Sequence, residues 1–222
     1  MSYSVAIDGP AGAGKSTIAK QIAKNLGFIY VDTGAMYRAM AFYLLSEGVD
    51  PQDADMIAEK CVGADITIRY EGGVQVVFLN GENVNAFLRT EEVGNAASVT
   101  SSIPEVRAKL VELQKALAAS SDCIMDGRDI GTCVLPNAQL KVYLTASSEV
   151  RAKRRYDELI AKGEQADLQK IKEDIEERDY RDMHREASPL TVAEDAVLVD
   201  SSYMPVEEVI DTIMKLCAER GA

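Results

Sequence analysis

The sequence predicts an α/β protein in which helices cover a parallel sheet. Short apolar runs alternate with amphipathic helical segments along most of its 222 residues, and this alternation is typical of βαβ units. A glycine-rich turn, GPAGAGKST at 9–17, separates the first apolar run from the first helical segment. The length predicts one main domain with room for a small appended subdomain.

Two βα units are expected in the amino-terminal part of the chain. The first strand is predicted over residues 3–8, and the helix after the glycine-rich turn has apolar residues at helical spacing until Gly27. A second strand over 28–32 and a helix from 35 to about 48 repeat the pattern. Both strands therefore end at the same edge of the predicted sheet, where ligands of open α/β sheets bind.

The pattern changes to strict alternation between residues 65 and 81. Ile66, Ile68 and Tyr70 alternate with polar residues, and the pair Gly72-Gly73 supplies a turn before a second apolar run. This predicts a β-hairpin. An antiparallel piece within a βα series is most simply an insertion at one edge of the main domain, and either a substrate-closing role or a structural role fits it.

The second half of the chain returns to alternating helices and strands, with about five core strands in total. The polar stretch 151–185 is expected to project from the core until Pro189 ends it. The other predicted elements are a helix over 103–119, strands at 123–126 and 140–144, a helix capped by Ser147 or Ser148, a strand at 196–199 and a helix over 205–220.

Composition restricts the partners and the compartment. A formal net charge of −12 argues against nonspecific nucleic-acid binding, which depends on Lys and Arg. No apolar run reaches the length of a membrane span and the amino terminus has no signal-peptide pattern, so a cytoplasmic protein that binds neither nucleic acid nor membrane is expected. The cysteines lack metal-site spacing and are expected to pack in the core: Cys61, Cys123, Cys133 and Cys217.

The glycine-rich turn matches the phosphate-binding motif G-x-x-x-x-G-K-[ST]. Glycines are needed because backbone N–H groups must approach an oxyanion closely. Lys15 can reach the β- and γ-phosphates, and the Ser16 hydroxyl can bind Mg²⁺. The residues expected to bind ATP are Gly9, Pro10, Ala11, Gly12, Ala13, Gly14, Lys15, Ser16 and Thr17. The motif alone leaves open a kinase, a GTPase switch, a motor or a transporter ATPase.

Two further segments place charge at the same edge of the sheet. Arg38 follows the second strand, and Arg128 and Asp129 follow the strand at 123–126. Asp126 at the tip of that strand can hold Mg²⁺ through water, or it can only cap the following turn. Arg38 suits an incoming anion, although a solvated helix arginine has the same appearance in sequence.

A third segment, ERDYRDMHR at 177–185, has Arg178, Arg181, Asp182 and Arg185 at i, i+3, i+4 and i+7. Such runs usually form ion pairs on a surface helix, but three arginines on one face of an acidic protein favour a functional site. Phosphoryl transfer needs cations around the transferred group. An acceptor phosphate is largely ionised at neutral pH and needs no general base, so His184, the only histidine, is expected to be a surface residue.

These motifs together resemble the bacterial cytidylate (CMP) kinase family over nearly the whole chain. The matching segments are IDGPAGAGKST at 7–17, DTGAMYR at 32–38, DGRDIGT at 126–132 and ERDYRDMHR at 177–185. The resemblance implies transfer of the γ-phosphate of ATP to CMP or dCMP in pyrimidine nucleotide metabolism. It also implies a P-loop nucleoside-monophosphate-kinase fold: one domain, 1–222, with a five-stranded parallel sheet, a monophosphate-binding β insert at about 64–90 and a helical lid at about 150–188.

The resemblance also implies roles for individual residues. Lys15, Arg128 and Arg178 are the expected catalytic residues. The phosphate-binding motif and the position of Asp126 at the tip of its strand, rather than the resemblance, make Ser16 with Asp126 the expected Mg²⁺ site. The residues expected to bind the monophosphate substrate are Thr33, Arg38, Ser98, Arg107, Arg128, Asp129, Arg178, Asp182 and Arg185. Among them, Ser98, Arg107 and Asp129 are expected to face cytosine and Asp182 the sugar.

Two points stay open at the level of sequence. Arg151, Arg154 and Arg155 are expected to begin the lid, and any of them is a candidate contact for ATP. The acceptor can also be AMP, UMP or shikimate, and a nucleotide switch is an alternative class, although the guanine-selecting NKxD motif does not occur in the chain. Nothing in the sequence requires more than a monomer.

Overall fold

The computed structural model describes residues Ser2–Ala222. The strands are β1 Ser4–Asp8, β2 Ile29–Asp32, β3 Ile66–Glu71, β4 Val74–Leu79, β5 Glu82–Asn83, β6 Cys123–Gly127, β7 Leu140–Thr145 and β8 Val197–Asp200. The helices are α1 Lys15–Leu26, α2 Thr33–Ser46, α3 Ala54–Lys60, α4 Glu91–Thr100, α5 Pro104–Ser120, α6 Ser148–Ala161, α7 Leu168–His184 and α8 Val206–Glu219. A π-helical turn covers Ile130–Val134.

The predicted fold class is confirmed. The larger sheet has five strands in the order β2-β6-β1-β7-β8, and a separate three-stranded sheet has the order β3-β4-β5. The chain divides into two compact units. The larger unit contains Tyr3–Phe28 and Cys123–Ala222, and the smaller unit contains Ile29–Asp122 together with Ser2.

In the larger unit, β1 lies between two parallel neighbours. Ile7 is opposite Asp126 of β6 and Val142 of β7. All five residues of β1 are buried, which explains its nearly continuous apolar sequence, since a central parallel strand has helices on both faces. The strand ends at Asp8, so the phosphate-binding motif leaves the sheet directly beside the end of β6.

Helix α1 begins and ends at glycines in the left-handed region. Gly14 has φ 91° and Gly27 has φ 72°, and residues with a Cβ adopt this region only at a cost. Between them, Ile18 and Ile22 are buried. The predicted order of strand, loop and helix is therefore confirmed to within one residue at each boundary.

The polar stretch after β7 forms two helices. Ser147 caps α6 by accepting a hydrogen bond from the Val150 backbone N–H, as predicted. Gly163, with φ 78°, follows the end of α6, and the Asp167 side chain caps α7. Helices α6 and α7 pack on each other within the larger unit.

The smaller unit is built on α2, which the Asp32 side chain caps at the Ala35 backbone N–H. Ala41 of α2 packs against Ala96 and Ala97 of α4. The predicted hairpin is present as β3 and β4, and the short third strand β5 extends it. Helices α3 and α4 were not predicted, because α3 is short and the sequence of α4, EEVGNAASVT, contains glycine and β-branched residues that disfavour a helix.

None of the helices within Ser2–Ala222 combines the length and the apolarity that crossing a bilayer requires.

Candidate active site

The phosphate-binding motif forms a turn that only glycine permits at its first position. Gly9 has φ 147°, and a Cβ added there would lie 2.0 Å from the main-chain oxygen of Leu144. Gly12 and Gly14 also have positive φ angles, 76° and 91°. The loop therefore follows a backbone path that suits glycine at these positions, and such a path is typical of loops whose N–H groups bind an oxyanion.

Lys15 lies inside this loop rather than in solvent. Only 5% of the residue is exposed, and its Nζ donates a hydrogen bond to the Pro10 carbonyl oxygen at 2.7 Å. Burial lowers the pKa of Lys15 to about 7, and repulsion by Arg128 adds to the effect, although Asp126 opposes it. Phosphate oxygens would be stronger acceptors for this ammonium group than a carbonyl oxygen.

Ser16 and Asp126 are brought together at the ends of α1 and β6. The Ser16 Oγ donates a hydrogen bond to Asp126 Oδ2 at 2.9 Å. Within residues 2–222 no group of three or more His, Cys, Asp or Glu side chains is arranged to hold a metal. A hydroxyl and a carboxylate without further protein ligands fit Mg²⁺, which keeps several waters and binds substrate phosphates as ligands.

Two buried ion pairs connect the segment after β6 with α7 and its carboxyl end. Arg128 donates from Nε to Asp182 Oδ2 at 2.8 Å, and its Nη1 donates to the Gly127 carbonyl oxygen at 3.4 Å. Arg185 Nη2 lies 3.6 Å from Asp129 Oδ1. These four predicted site residues therefore form one cluster in the larger unit.

The electrostatics of this cluster centre on Asp182. Burial is the largest single effect on the Asp182 carboxyl group and would raise its pKa. The charge and hydrogen bond of Arg128, together with the charges of Arg178 and Arg185, outweigh burial, so the pKa lies below its ordinary value. Conversely, burial would lower the pKa of the Arg128 guanidinium, but the charge and hydrogen bond of Asp182, together with the charges of two further aspartates, raise it above its ordinary value.

The predicted arginine face of α7 is only partly present. Arg181 is exposed and lies 3.9 Å from Glu177 on the same helix, as in an ordinary surface ion pair. Helix α7 ends at His184, so Arg185 follows its last turn, and its Nε donates to the carbonyl oxygen of Ser188, in the segment after the helix, at 2.8 Å. The expectation that three arginines converge on a functional site was therefore wrong for Arg181, which forms a surface ion pair.

The three arginines at the start of the predicted lid have different environments. Arg151 is buried, and its guanidinium donates to the carbonyl oxygens of Ala146 and Ala11 and to Asp179 Oδ2, at 2.8, 2.9 and 2.6 Å. Arg154 donates to the Ser201 carbonyl oxygen at 2.7 Å. Arg155 is exposed and forms an ion pair with Glu158. Arg151 thus links the phosphate loop to α7, a link that sequence reasoning did not predict.

In the smaller unit, Arg38 and Thr33 lie at the start of α2. Arg38 Nη2 is 3.3 Å from Asp32 Oδ2, while its buried Nε makes no hydrogen bond to any described residue. Thr33 is 3% exposed. The Arg38 guanidinium is therefore oriented by a carboxylate and retains a donor for an anion.

Ser98 and Arg107 belong to the same smaller unit. Arg107 is buried; its Nη1 donates to the Ser101 carbonyl oxygen at 3.3 Å, and its guanidinium carbon lies 5.8 Å from the centre of the Tyr37 ring. The buried Ser98 Oγ has no hydrogen-bond partner in the part of the chain that is described. An unsatisfied buried hydroxyl is costly, and a polar ligand would satisfy it.

Sequence reasoning missed Asp8 at the tip of β1. Its Oδ1 accepts from the Ile130 backbone N–H at 2.8 Å, and its Oδ2 accepts from the Gly131 backbone N–H at 2.7 Å. The available signal was an aspartate that closes an otherwise apolar, fully buried strand immediately before the glycine-rich turn.

The parallel sheet, the loop at 9–17 and α1 define a P-loop nucleotide-binding protein. A family model described as cytidylate kinase matches residues 5–219. The chain therefore belongs to the cytidylate kinase family.

Known proteins that are similar to this chain over nearly their full length are named cytidylate kinases. The cytidylate kinase of Caldicellulosiruptor bescii is 50% identical over 212 residues, with 96% of this chain and 94% of that protein covered. The cytidylate kinase of Geobacillus sp. strain WCH70 is 48% identical over 216 residues, covering 97% and 96%. A solved shikimate kinase from Acinetobacter baumannii has a TM-score of 0.50 at 13% identity, with 100% of this chain and 96% of that chain covered, and this likeness concerns the fold alone.

Proposed function

We propose that the protein transfers the γ-phosphate of ATP to CMP or dCMP, giving ADP and CDP or dCDP. The observation that carries the acceptor half of this proposal is the anchored guanidinium of Arg128. Asp182 binds its Nε and Gly127 its Nη1, which leaves Nη2 without a hydrogen bond to any residue of the described chain. A fixed arginine with a free donor suits a phosphate. The names of the relatives indicate the nucleotide that carries it.

On the donor side, the loop at 9–17 is proposed to bind the ATP phosphates through its backbone N–H groups and the amino end of α1. Lys15 is proposed to leave the Pro10 carbonyl oxygen and contact the β- and γ-phosphates. This exchange replaces a neutral acceptor with a charged one. The buried position of Lys15 favours the exchange, because an anion offsets the cost of a desolvated ammonium group.

Ser16 and Asp126 are the proposed protein contacts of Mg²⁺. The 2.9 Å hydrogen bond between their side chains places two oxygen ligands side by side at the end of the sheet. Mg²⁺ would supply charge neutralisation for the phosphates during transfer. The Ser16 hydroxyl oxygen and the Asp126 carboxylate oxygens are the ligands through which these two side chains would hold Mg²⁺.

The acceptor phosphate is proposed to bind Arg38, Arg128, Arg178 and Arg185. A nucleoside monophosphate arrives largely ionised at neutral pH, so these residues bind and orient the anion and no side chain has to remove a proton. Lys15, Arg128 and Arg178 are the proposed contacts of the transferred group. They stabilise the charge of the transition state by electrostatic preorganisation.

The nucleoside part of the acceptor is the proposed ligand of a further set of residues. Ser98 and Arg107 are the proposed partners of cytosine in the smaller unit, since the Ser98 hydroxyl lacks a partner and Arg107 is buried. Asp129 of the larger unit is a further proposed partner of cytosine. Thr33 is proposed to hydrogen-bond the base or the phosphate, and Asp182 the sugar.

The segments at 64–90 and 150–188 are proposed as the monophosphate-binding insert and the lid of a single kinase domain. A closed lid would exclude water and protect ATP from hydrolysis. We also propose that the protein works as a monomer in the cytoplasm without binding nucleic acid or membrane. Its net charge of −12 supports the part concerning nucleic acid.

A panel of acceptors tests the proposed reaction. The protein is incubated with ATP, Mg²⁺ and one of CMP, dCMP, UMP, AMP or shikimate, and ADP release is measured. We expect CMP and dCMP to be phosphorylated with kcat/KM at least tenfold above the others. Preference for another acceptor would replace the proposed substrate, and ADP release that is independent of every acceptor would favour a nucleotide switch.

A matched control ties the activity to the site. Lys15→Met removes the ammonium group but retains most of the side-chain volume, and we expect at least a 10²-fold loss of kcat. Lys24→Met, on an exposed turn of the same helix, should leave kcat within about twofold. A loss in both variants would indicate damage to α1 rather than to catalysis.

A further inference from the structure

Asp8 joins two segments of the larger unit that are distant in sequence. It ends β1, and its carboxylate accepts from the backbone N–H groups of Ile130 and Gly131, one on each oxygen, at 2.8 and 2.7 Å. The residue is 5% exposed. Both oxygens of a buried carboxylate are therefore used to hold one backbone turn.

A buried carboxylate at position 8 is not what folding stability alone would favour. Burial raises the pKa of Asp8 to about 6, although the two N–H groups lower it, so the charged form is held against a desolvation cost. An apolar residue at the end of β1 would avoid that cost. The carboxylate instead provides two bonds of defined direction, which an apolar residue cannot provide.

The segments that Asp8 joins lead directly to the two halves of the proposed site. Gly9, the first residue of the phosphate loop, follows Asp8. Arg128 and Asp129 immediately precede the turn that begins at Ile130. We propose that Asp8 is a positioning residue that fixes the Arg128-Asp129 segment relative to the phosphate loop, so that acceptor and donor phosphates are aligned for transfer. The inference rests on the proposed roles of Arg128 and the loop.

The opposite side of the same turn is held as well. A Cβ on Gly131 would lie 3.1 Å from Lys141 Cδ and 3.3 Å from Asp8 Oδ2, so the turn is packed between these two side chains. Lys141 is itself fixed by an ion pair to Asp195 at 2.8 Å. A Cβ at Gly131 would therefore require the Lys141 and Asp8 side chains to shift by a few tenths of an ångström.

Asp8→Asn tests the inference with almost no change of shape. The amide oxygen can accept one of the two N–H groups, but the amide NH₂ then faces the other donor. We expect kcat to fall at least tenfold and KM for the acceptor to rise at least fivefold. KM for ATP should stay within twofold, because Arg151 holds the loop independently through the Ala11 carbonyl oxygen. Assays use the best acceptor of the panel, so that a wrong assignment of CMP does not affect the outcome.

A stability control separates positioning from folding. Ile213→Ala removes a fully buried side chain from α8, outside the proposed site, and should lower the midpoint of thermal unfolding without changing either KM. Kinetics are measured well below both midpoints. If Asp8→Asn behaves like Ile213→Ala, with a lower midpoint and unchanged KM values, Asp8 is only structural and the proposal is overturned.

A double-mutant cycle tests whether Asp8 acts through Arg128. If it does, Asp8→Asn should change kcat/KM for the acceptor less than threefold in an Arg128→Met background, against more than tenfold in the wild type. Full additivity of the two losses would contradict the proposal. If Asp8→Asn does not fold, Gly131→Ala is the alternative variant, because it disturbs the contact between Asp8 and this turn without altering its charge. We expect it to raise KM for the acceptor at least threefold. An unchanged acceptor KM in a folded Gly131→Ala protein would reject it.

Discussion

Arg128 and Asp182 form an ion pair in which Nε donates to Oδ2 at 2.8 Å, and their side chains are only 20% and 7% exposed. The pair connects the end of β6 with the last turns of α7. It fixes the guanidinium through one edge, so the remaining nitrogens have a set direction. Because each charge is partly desolvated, loss of one partner leaves the other uncompensated.

Asp182→Asn should therefore reduce stability as well as activity. The pKa of Asp182 is lowered in the folded state, so its contribution is present at neutral pH and is lost as the pH falls through that folded value. We expect the free energy of unfolding at pH 7, from urea titration, to fall by about 2 kcal/mol. Asp157→Asn, in an exposed pair with Lys153, should cost less than about 0.5 kcal/mol. Equal losses would mean that burial of the first pair has no energetic consequence.

Gly9 is expected to tolerate no side chain. The Cβ of Gly9→Ala would overlap the Leu144 main-chain oxygen at 2.0 Å, and main-chain atoms of β7 cannot move without breaking the sheet. We expect a large loss of thermal stability, or failure to fold, in circular dichroism. Gly94→Ala is the matched control: nothing lies within 4 Å of its Cβ, it lies in α4, and alanine should stabilise that helix by up to about 1 kcal/mol. A normal melting curve for Gly9→Ala would contradict the close approach.

The elements that sequence predicted well are those with local causes. The first strand, the glycine-rich turn and α1 are adjacent in sequence. The glycines of the turn indicate the positive φ angles that it adopts. In the hairpin of β3 and β4, the alternation of apolar and polar residues lies directly beside the Gly72-Gly73 turn in the sequence. Ser16 and Asp126 were also predicted as a pair, because the carboxyl ends of neighbouring parallel strands meet at one edge.

The features that sequence did not predict depend on distant contacts. Asp8 and the Ile130 N–H are 122 residues apart, and a single aspartate has no periodicity that could indicate a partner. From sequence, Arg151 was one of three lid arginines with the same expected role. Only the structure shows that Arg151 is buried whereas Arg155 is exposed. Spacing placed Arg181 with its neighbours on one helical face, but it could not tell which residues of that face would be covered.

Lys15 should take up a proton when ATP binds. Burial lowers its pKa to about 7, so at pH 8 the free protein holds it mostly neutral, and adjacent phosphates would raise the pKa again. Calorimetric titration with a non-hydrolysable ATP analogue and Mg²⁺ at pH 8, in buffers of different ionisation enthalpy, should show uptake of up to one proton. Lys15→Met should abolish the uptake. Binding enthalpies that do not depend on the buffer would show that Lys15 is already charged in the free protein.

Arg151 should control the stability of α7 through its contact with Asp179. Arg151→Met removes the 2.6 Å ion pair and leaves the Asp179 carboxylate, already without a partner on Oδ1 among the described residues, buried and uncompensated. We expect faster amide hydrogen exchange in α7, at least tenfold, with little change in α8. Arg155→Met, four residues further along α6 and exposed, should leave both helices unchanged.

A second substitution distinguishes lost charge compensation from lost packing. Asp179→Asn removes the buried charge, so Arg151→Met combined with Asp179→Asn should recover part of the protection of α7 that Arg151→Met alone loses. Both variants lack the hydrogen bond from Arg151 to the Ala11 carbonyl oxygen, so we expect KM for ATP to be raised in both, while the exchange of α7 recovers only in the double variant. If exchange in α7 stays as fast in the double variant as in Arg151→Met, the side-chain packing of Arg151 rather than its charge holds the helix.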